Sequence, residues 1–130
     1  MLRIFLVDDN AMARAAIKDA LQQHPDRIVV GEADNGRQAV EKFHDYNPQL
    51  TVMDFVMPEM NGLEAARRLT ERDPQVRILM ITTDPSNQLE EEARNAGICG
   101  VCAKEQMNRL KDAIDVVMAG GTYFRKEATA

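Results

Sequence analysis

Five short apolar runs recur along the chain: "LRIFLV" (2–7), "RIVVGE" (27–32), "LTVMD" (50–54), "VRILMIT" (76–82) and "ICGVCA" (98–103). Most are apolar nearly throughout, the pattern of strands covered on both faces. Between and after them, apolar residues return at helical spacing: Ala13, Ala16, Ile17, Ala20 and Leu21; then Ala39, Val40 and Phe43; then Leu63, Ala66 and Leu69; finally Met107, Leu110, Ile114 and Val117. Each stripe predicts an amphipathic helix facing a sheet. The fourth helical stretch, "SNQLEEEARNAG", offers only Leu89, Ala93 and Ala96, with Glu90, Glu91 and Glu92 around them, and predicts a weakly docked helix. Punctuation agrees with these boundaries. Pro25, Pro48 and Pro74 precede the second, third and fourth runs, Gly97 follows the fourth helix, and Asn61 and Ser86 suit N-caps.

Strict alternation of strand and helix predicts an α/β fold: a (βα)5, doubly wound, parallel five-stranded sheet with right-handed crossovers. In the flavodoxin-like order 2-1-3-4-5, a ligand site lies beyond the carboxyl ends of strands one and three, where the order reverses. Strand one ends in Asp8 and Asp9, and strand three ends in Asp54. A lone carboxylate at the end of an apolar run is costly unless it is paired, metal-bound or at the wet end of the strand. These carboxylates converge on one pocket, where mutual repulsion must raise a pKa or be relieved by a cation. Oxygen donors of this kind suit Mg²⁺. The same edge receives Thr82 from strand four and Lys104 from strand five. A metal and an ammonium neutralise phosphoryl oxygens, a hydroxyl donates to one, and a carboxylate can attack phosphorus, so Asp54 is the natural nucleophile.

Composition narrows the function further. At 130 residues the chain is the size of one ordinary domain, and no apolar run approaches a membrane span. The start, "MLRIFLVDDN", lacks the anatomy of a signal peptide, so a cytoplasmic location and no membrane partner are expected. A net charge of -5 argues against nucleic-acid binding by this segment; contact with DNA requires a domain absent from the chain. "CGVC" raises a thioredoxin-like redox reading, but both cysteines sit in a strand-like run and on opposite faces of it, and two buried thiols are expected instead.

"LVDDN", "MDFVMPEMNGLE", "ILMITTD" and "GVCAKE", at the ends of four expected strands, resemble the CheY-like receiver domain of bacterial two-component response regulators over residues 2–120. The resemblance implies that Asp54 accepts a phosphoryl group from a sensor histidine kinase or phosphotransfer protein. It further implies that Asp9 ligates Mg²⁺ directly, Asp8 acts mostly through water, and the main-chain carbonyl of Val56 completes the metal set. Lys104 would contact the phosphoryl group and Thr82 would move to hydrogen-bond it, while Pro58 and Gly62 shape the loop beneath. Such a protein is a switch, not an enzyme beyond its own phosphoryl transfer and dephosphorylation. Its output surface would be helix four, strand five and helix five, with homodimerisation on phosphorylation as one form of output.

The sequence departs from the family in places. Val101 stands where many receivers carry Tyr or Phe, so activation is expected to be read through the fourth helix and the loop "TTDPSN". Val56 and Asp84 occupy positions that influence how water reaches the phosphoryl group. Residues 1–120 are read as the receiver, and 121–130 as a C-terminal tail or the start of an interdomain linker. The segment "AIDVVMAGGTYFRKEATA" resembles the junction in LuxR/NarL-type transcriptional regulators, which favours an excised receiver of such a regulator; a stand-alone receiver acting by protein–protein binding is the alternative. A haloacid-dehalogenase-like phosphatase needs a second acid where Val56 stands, and a flavodoxin-like flavin carrier needs hydroxyls and amides where Asp8 and Asp9 stand. A pseudo-receiver docking module is disfavoured by the intact acidic triad, Thr82 and Lys104.

Overall fold

Strand and helix alternate as the apolar pattern requires. The structure, a computed structural model, describes residues 1–125. It contains β1 (Leu2–Val7), α1 (Ala11–Gln22), β2 (Arg27–Ala33), α2 (Gly36–Tyr46), β3 (Leu50–Asp54) and α3 (Gly62–Arg72). There follow β4 (Ile78–Thr82), α4 (Asn87–Asn95), β5 (Gly100–Ala103), a 3-10 segment (Lys104–Arg109) and α5 (Leu110–Met118). The strands pair in parallel in the order β2-β1-β3-β4-β5, the expected flavodoxin-like topology. Helices α2, α3 and α4 cover one face of the sheet through Phe43, Leu69 and Ala93, and α1 and α5 cover the other through Leu21 and Ile114.

Every residue of β3 and β4 is buried, as their unbroken apolar runs demand. The edge strand β2 departs from that pattern, with Ile28 40% exposed, because no strand pairs its outer side. Strands β4 and β5 begin later than their apolar runs: Val76 and Ile98 are buried but lie in the entering loops. On α1 only Ile17 and Leu21 are buried, while Ala16 and Ala20 are exposed. At about 100° per residue those alanines sit on the flank of a stripe whose contact is set by the two larger side chains.

Side-chain caps fix the helix starts. Asn10, Asn35, Asn61 and Ser86 accept the backbone N–H groups of Ala13, Gln38, Glu64 and Leu89, satisfying donors that the helix leaves unpaired. Helix α4 buries Leu89 and Ala93 as expected, and Ala96 just beyond it, but it also buries Glu90, which is 3% exposed. The expectation of a weakly docked helix ringed by charge is corrected there, because the carboxylate of Glu90 turns inward to Arg125. Of the cysteines, Cys102 is buried and Cys99 only partly so. Both pack toward the α1 and α5 side, because Cys99 precedes the ladder and is not held to its alternation. Within the expected tail, Tyr123 forms a parallel bridge with Gly100 and Phe124 is 5% exposed; residues 126–130 lie outside the described residues.

The burial contrast between β4 and β2 predicts a contrast in stability. Leu79→Ala, at a fully buried site, is expected to cost about 2–5 kcal/mol in urea unfolding. Ile28→Ala, at the open edge, is expected to cost under about 1 kcal/mol, since half-solvated side chains leave no cavity.

Candidate functional site

Parallel strands finish at one edge of the sheet, so strand register decides which end residues meet. Val7 pairs with Met53, which brings the next residues, Asp8 and Asp54, side by side. Asp54 pairs with Ile81, so Thr82 stands one residue further along the neighbouring strand; Thr82 pairs with Ala103, which Lys104 follows. The pairing of β1, β3, β4 and β5 therefore assembles a site from residues 96 positions apart in the chain.

Asp8, Asp9 and Asp54 each offer a carboxylate oxygen, and these atoms lie within 4.8 Å of one another. Asp8 is fully buried, Asp54 is nearly so, and Asp9 is exposed at the mouth. The Lys104 Nζ donates to Asp8 Oδ2 at 2.9 Å and approaches Asp54 Oδ2 at 3.3 Å. Lys104 reaches the strand-end edge where the sequence placed it, and its shorter bond goes to Asp8. Asp8 is fixed twice more: its Oδ1 accepts the Asn10 N–H at 2.9 Å, and its carbonyl accepts Arg14 Nη1 at 2.6 Å. Arg14 is in turn paired with Glu32 at 2.9 Å.

The electrostatics follow from burial and crowding. Burial raises the pKa of Asp54 above the ordinary carboxylate value, the charge of Asp8 adds to this and Asp9 adds a little, while Lys104 opposes them. For Lys104, burial works against the ammonium, but the hydrogen bond to Asp8 and the charge of Asp54 outweigh it and hold its pKa above the usual lysine value. One ammonium thus faces a trio of carboxylates, and the excess of negative charge suits a hard divalent cation. The donor set of Asp8, Asp9 and Asp54 is all oxygen, which fits Mg²⁺ chemistry.

Thr82 closes β4 at 2% exposure, and its hydroxyl accepts the Asp84 N–H at 3.3 Å. It lines the same edge, with its hydroxyl engaged by the loop rather than by Asp54. Val56 lies in the loop after β3 with its side chain 65% exposed, so an apolar group stands at the rim of the pocket. Beneath it, Gly62 N–H donates to the Phe55 carbonyl at 2.8 Å, and a Cβ on Gly62 would lie 2.3 Å from the Asp54 carbonyl oxygen. Gly62 is therefore required by a close approach, beyond any turn preference. Gly36 is similar: its Cβ would meet the Met60 carbonyl at 2.1 Å. That contact ties the loop below Asp54 to α2, and the sequence offered no signal for it beyond the glycine. The thiol of Cys102 has its pKa raised by burial, with Arg109 opposing, which is the reverse of an activated redox cysteine.

The family described as "Response regulator receiver domain" matches residues 4–115. The chemotaxis protein CheY of Bacillus subtilis (strain 168) is 40% identical over 114 residues, which are 87% of this chain and 94% of that protein. The transcriptional regulatory protein DegU of Brevibacillus brevis is 33% identical over 129 residues, 98% of this chain and 55% of DegU. The chain thus spans little more than half the length of that relative. Among solved structures, a LuxR-family two-component response regulator from Aurantimonas sp. SI85-9A1 superposes with a TM-score of 0.90 at 30% identity, covering 93% of this chain and 87% of the other.

The raised pKa of Asp54 carries a stability consequence with a definite sign. A carboxyl whose folded pKa exceeds its unfolded value destabilises the fold once ionised, so the penalty is absent below the unfolded pKa and grows as pH rises through the folded one. In metal-free buffer at neutral pH, Asp54→Asn is expected to raise the thermal midpoint, where about 1 kcal/mol corresponds to roughly 4 °C for a domain of this size. The gain should vanish below about pH 4, where an unfolded aspartate is protonated. Thermal melts of both proteins across pH check this, and equal midpoints at neutral pH would contradict the crowding described above.

Proposed function

The chain belongs to the response regulator receiver domain family of two-component signalling, and from that premise we propose that Asp54 is its phosphoacceptor. The observation that carries this is the Lys104 ammonium set between Asp8 and Asp54 within a cluster of three carboxylates, where the ammonium and a bound cation would together offset the charge of an incoming phosphoryl group. Asp8, Asp9, Asp54 and the main-chain carbonyl of Val56 would hold Mg²⁺, which when bound would neutralise the incoming phosphoryl oxygens.

In the proposed reaction a carboxylate oxygen of Asp54 attacks phosphorus, a new P–O bond forms, and the P–N bond to the donor histidine breaks. The electron pair leaves with the histidine nitrogen, and the product is an acyl phosphate on Asp54. Lys104 shifts from its carboxylate partners toward a phosphoryl oxygen, lowering the charge that builds there. The Thr82 hydroxyl turns from the Asp84 N–H to donate to another. The donor would be a sensor histidine kinase or phosphotransfer protein, and the chain would act in the cytoplasm. Among the described residues no helix is long and apolar enough to cross a membrane.

The relatives support two readings of the output. DegU is a transcriptional regulator, and its match over 98% of this chain supports residues 1–120 as a receiver controlling transcription, with 121–130 beginning a linker to a DNA-binding domain. The switched surface would be α4, β5 and α5, with phosphorylation-dependent homodimerisation as one form of output. A second reading, a stand-alone receiver acting by protein binding, is favoured by the match to 94% of CheY. Neither reading makes the chain an enzyme beyond its own phosphoryl transfer and dephosphorylation.

The test is intact mass after incubation with Mg²⁺ and acetyl phosphate. The unmodified chain is expected to gain one phosphoryl group, and Asp54→Asn or EDTA to abolish the gain. Lys104→Ala is expected to slow the reaction by about 10²-fold or more, the scale of losing one electrostatic contact to a developing charge. Measurable Mg²⁺ binding with no gain of mass, even with cognate kinase, would make the chain a pseudo-receiver docking module.

A further inference from the structure

Residues 123–125 are held to two different elements at once. On β5, the Tyr123 N–H donates to the Cys99 carbonyl at 2.9 Å and the Tyr123 carbonyl accepts the Val101 N–H at 2.9 Å. On α4, Glu90 accepts the Arg125 backbone N–H at 2.6 Å and Arg125 Nε at 2.5 Å, so both oxygens of a carboxylate that is 3% exposed are bound to one residue of the strap. Phe124 lies between these anchors, buried in the same cluster as Val101 and Ala93, with the Arg94 guanidinium 4.3 Å over its ring. Tyr123 is thus fastened to β5 by its backbone, and Arg125 to α4 by both its backbone N–H and its side chain. The strap keeps both sets only while α4 keeps its place against β5.

That place is set close to Thr82. Its hydroxyl holds the Asp84 N–H; Ser86 caps α4; and the Ser86 carbonyl accepts the Glu90 N–H at 3.0 Å. If Thr82 turns toward a phosphoryl group, Asp84 loses its acceptor, the loop must refold, and the first turn of α4 moves with its cap. Charge-assisted bonds weaken as their distance and angle degrade, so a displaced α4 loosens its hold on Arg125.

We propose that residues 123–125 form a strap that is docked in the unphosphorylated protein and released from α4 and β5 by phosphorylation. The proposal rests on Asp54 being the phosphoacceptor. Linkage makes the coupling reciprocal: a variant that weakens the strap must bind the phosphoryl mimic more tightly. The strap also borders a groove of about 460 Å³ reaching Pro85 and Arg109, so one flank of it is unpacked and can swing outward.

Amide hydrogen exchange of the 130-residue chain, followed residue by residue with and without Mg²⁺ and beryllofluoride, tests this. Beryllofluoride occupies the position of a phosphoryl group on a carboxylate, and shifts at Asp54 and Lys104 report loading. On loading, protection at the Tyr123 and Val101 amides is expected to fall about tenfold or more. The Cys99 amide, bound to Ile78 on the other side, should keep its protection. Unchanged or increased protection in a loaded protein overturns the strap and leaves the phosphoacceptor standing; no loading at all overturns the phosphoacceptor, and the strap with it. In the reciprocal arm, Glu90→Gln and Arg125→Ala are expected to tighten beryllofluoride binding by roughly 5-fold or more. Arg125 has a half-exposed side chain, so its variant keeps the test open should the buried Glu90 variant fail to fold. Unchanged affinity in Arg125→Ala overturns the proposal.

Discussion

A fully buried carboxylate at the end of a strand has to be held by something, and in this protein Asp8 is held by Lys104 from the far end of the chain. Isolated burial of such a charge is costly enough that it would protonate or unfold its surroundings. The ammonium, the Asn10 N–H and the crowding by Asp54 and Asp9 therefore constrain one another. For Lys104 to arrive, β5 must pair with β4 and β4 with β3 in the observed register. A slip by one residue would turn each end residue to the opposite face and leave Asp8 unpaired. The register of the sheet and the charge balance of the pocket are one requirement seen at two scales.

The same balance explains how a stable fold can carry a reactive site. The apolar strands and the helices packed on both faces supply the stability, and the pocket at the strand ends holds negative charge in excess of its single ammonium. A cation or a charge-neutralising rearrangement relieves that excess, so occupancy of the pocket and the position of Lys104 are linked in free energy. This is what a two-state switch requires: ligands bias an equilibrium only by the difference in their interaction with its states. Gly62 and Gly36 serve the same end mechanically, since close backbone approaches hold the loop under Asp54 against β3 and α2.

Most of the architecture was legible because it is written in periodicity. Apolar runs marked the strands, stripes marked the helices, and Asn61 and Ser86 marked two starts that the side-chain caps reproduce. The convergence of Asp8, Asp9, Asp54 and Lys104 was legible too, because topology alone brings strand ends together. Less visible was what depends on solvent and on distant pairing. Ala16 and Ala20 are apolar yet exposed, since small side chains on the flank of a stripe carry little information. Glu90 reads as one of a run of solvated charges, and nothing local distinguishes it from Glu91 and Glu92. Its burial depends on Arg125, 35 residues away, which no periodic pattern records.

That missed pair changes the meaning of the fourth helix. A helix held only by Leu89, Ala93 and Ala96 would shift gradually as its loop moved, because a few small apolar contacts can slide. A helix whose first turn carries a buried carboxylate has fewer intermediate positions. Separating Glu90 from Arg125 inside the protein leaves a charge without a partner, so intermediate geometries are disfavoured relative to either a closed pair or a solvated one. The pair is a weak source of stability, because the Arg125 side chain is half-exposed, and its cost falls on the buried Glu90 when the two part. On that ground the ion pair ties the position of α4 to that of residues 123–125 more than it adds strength to the fold.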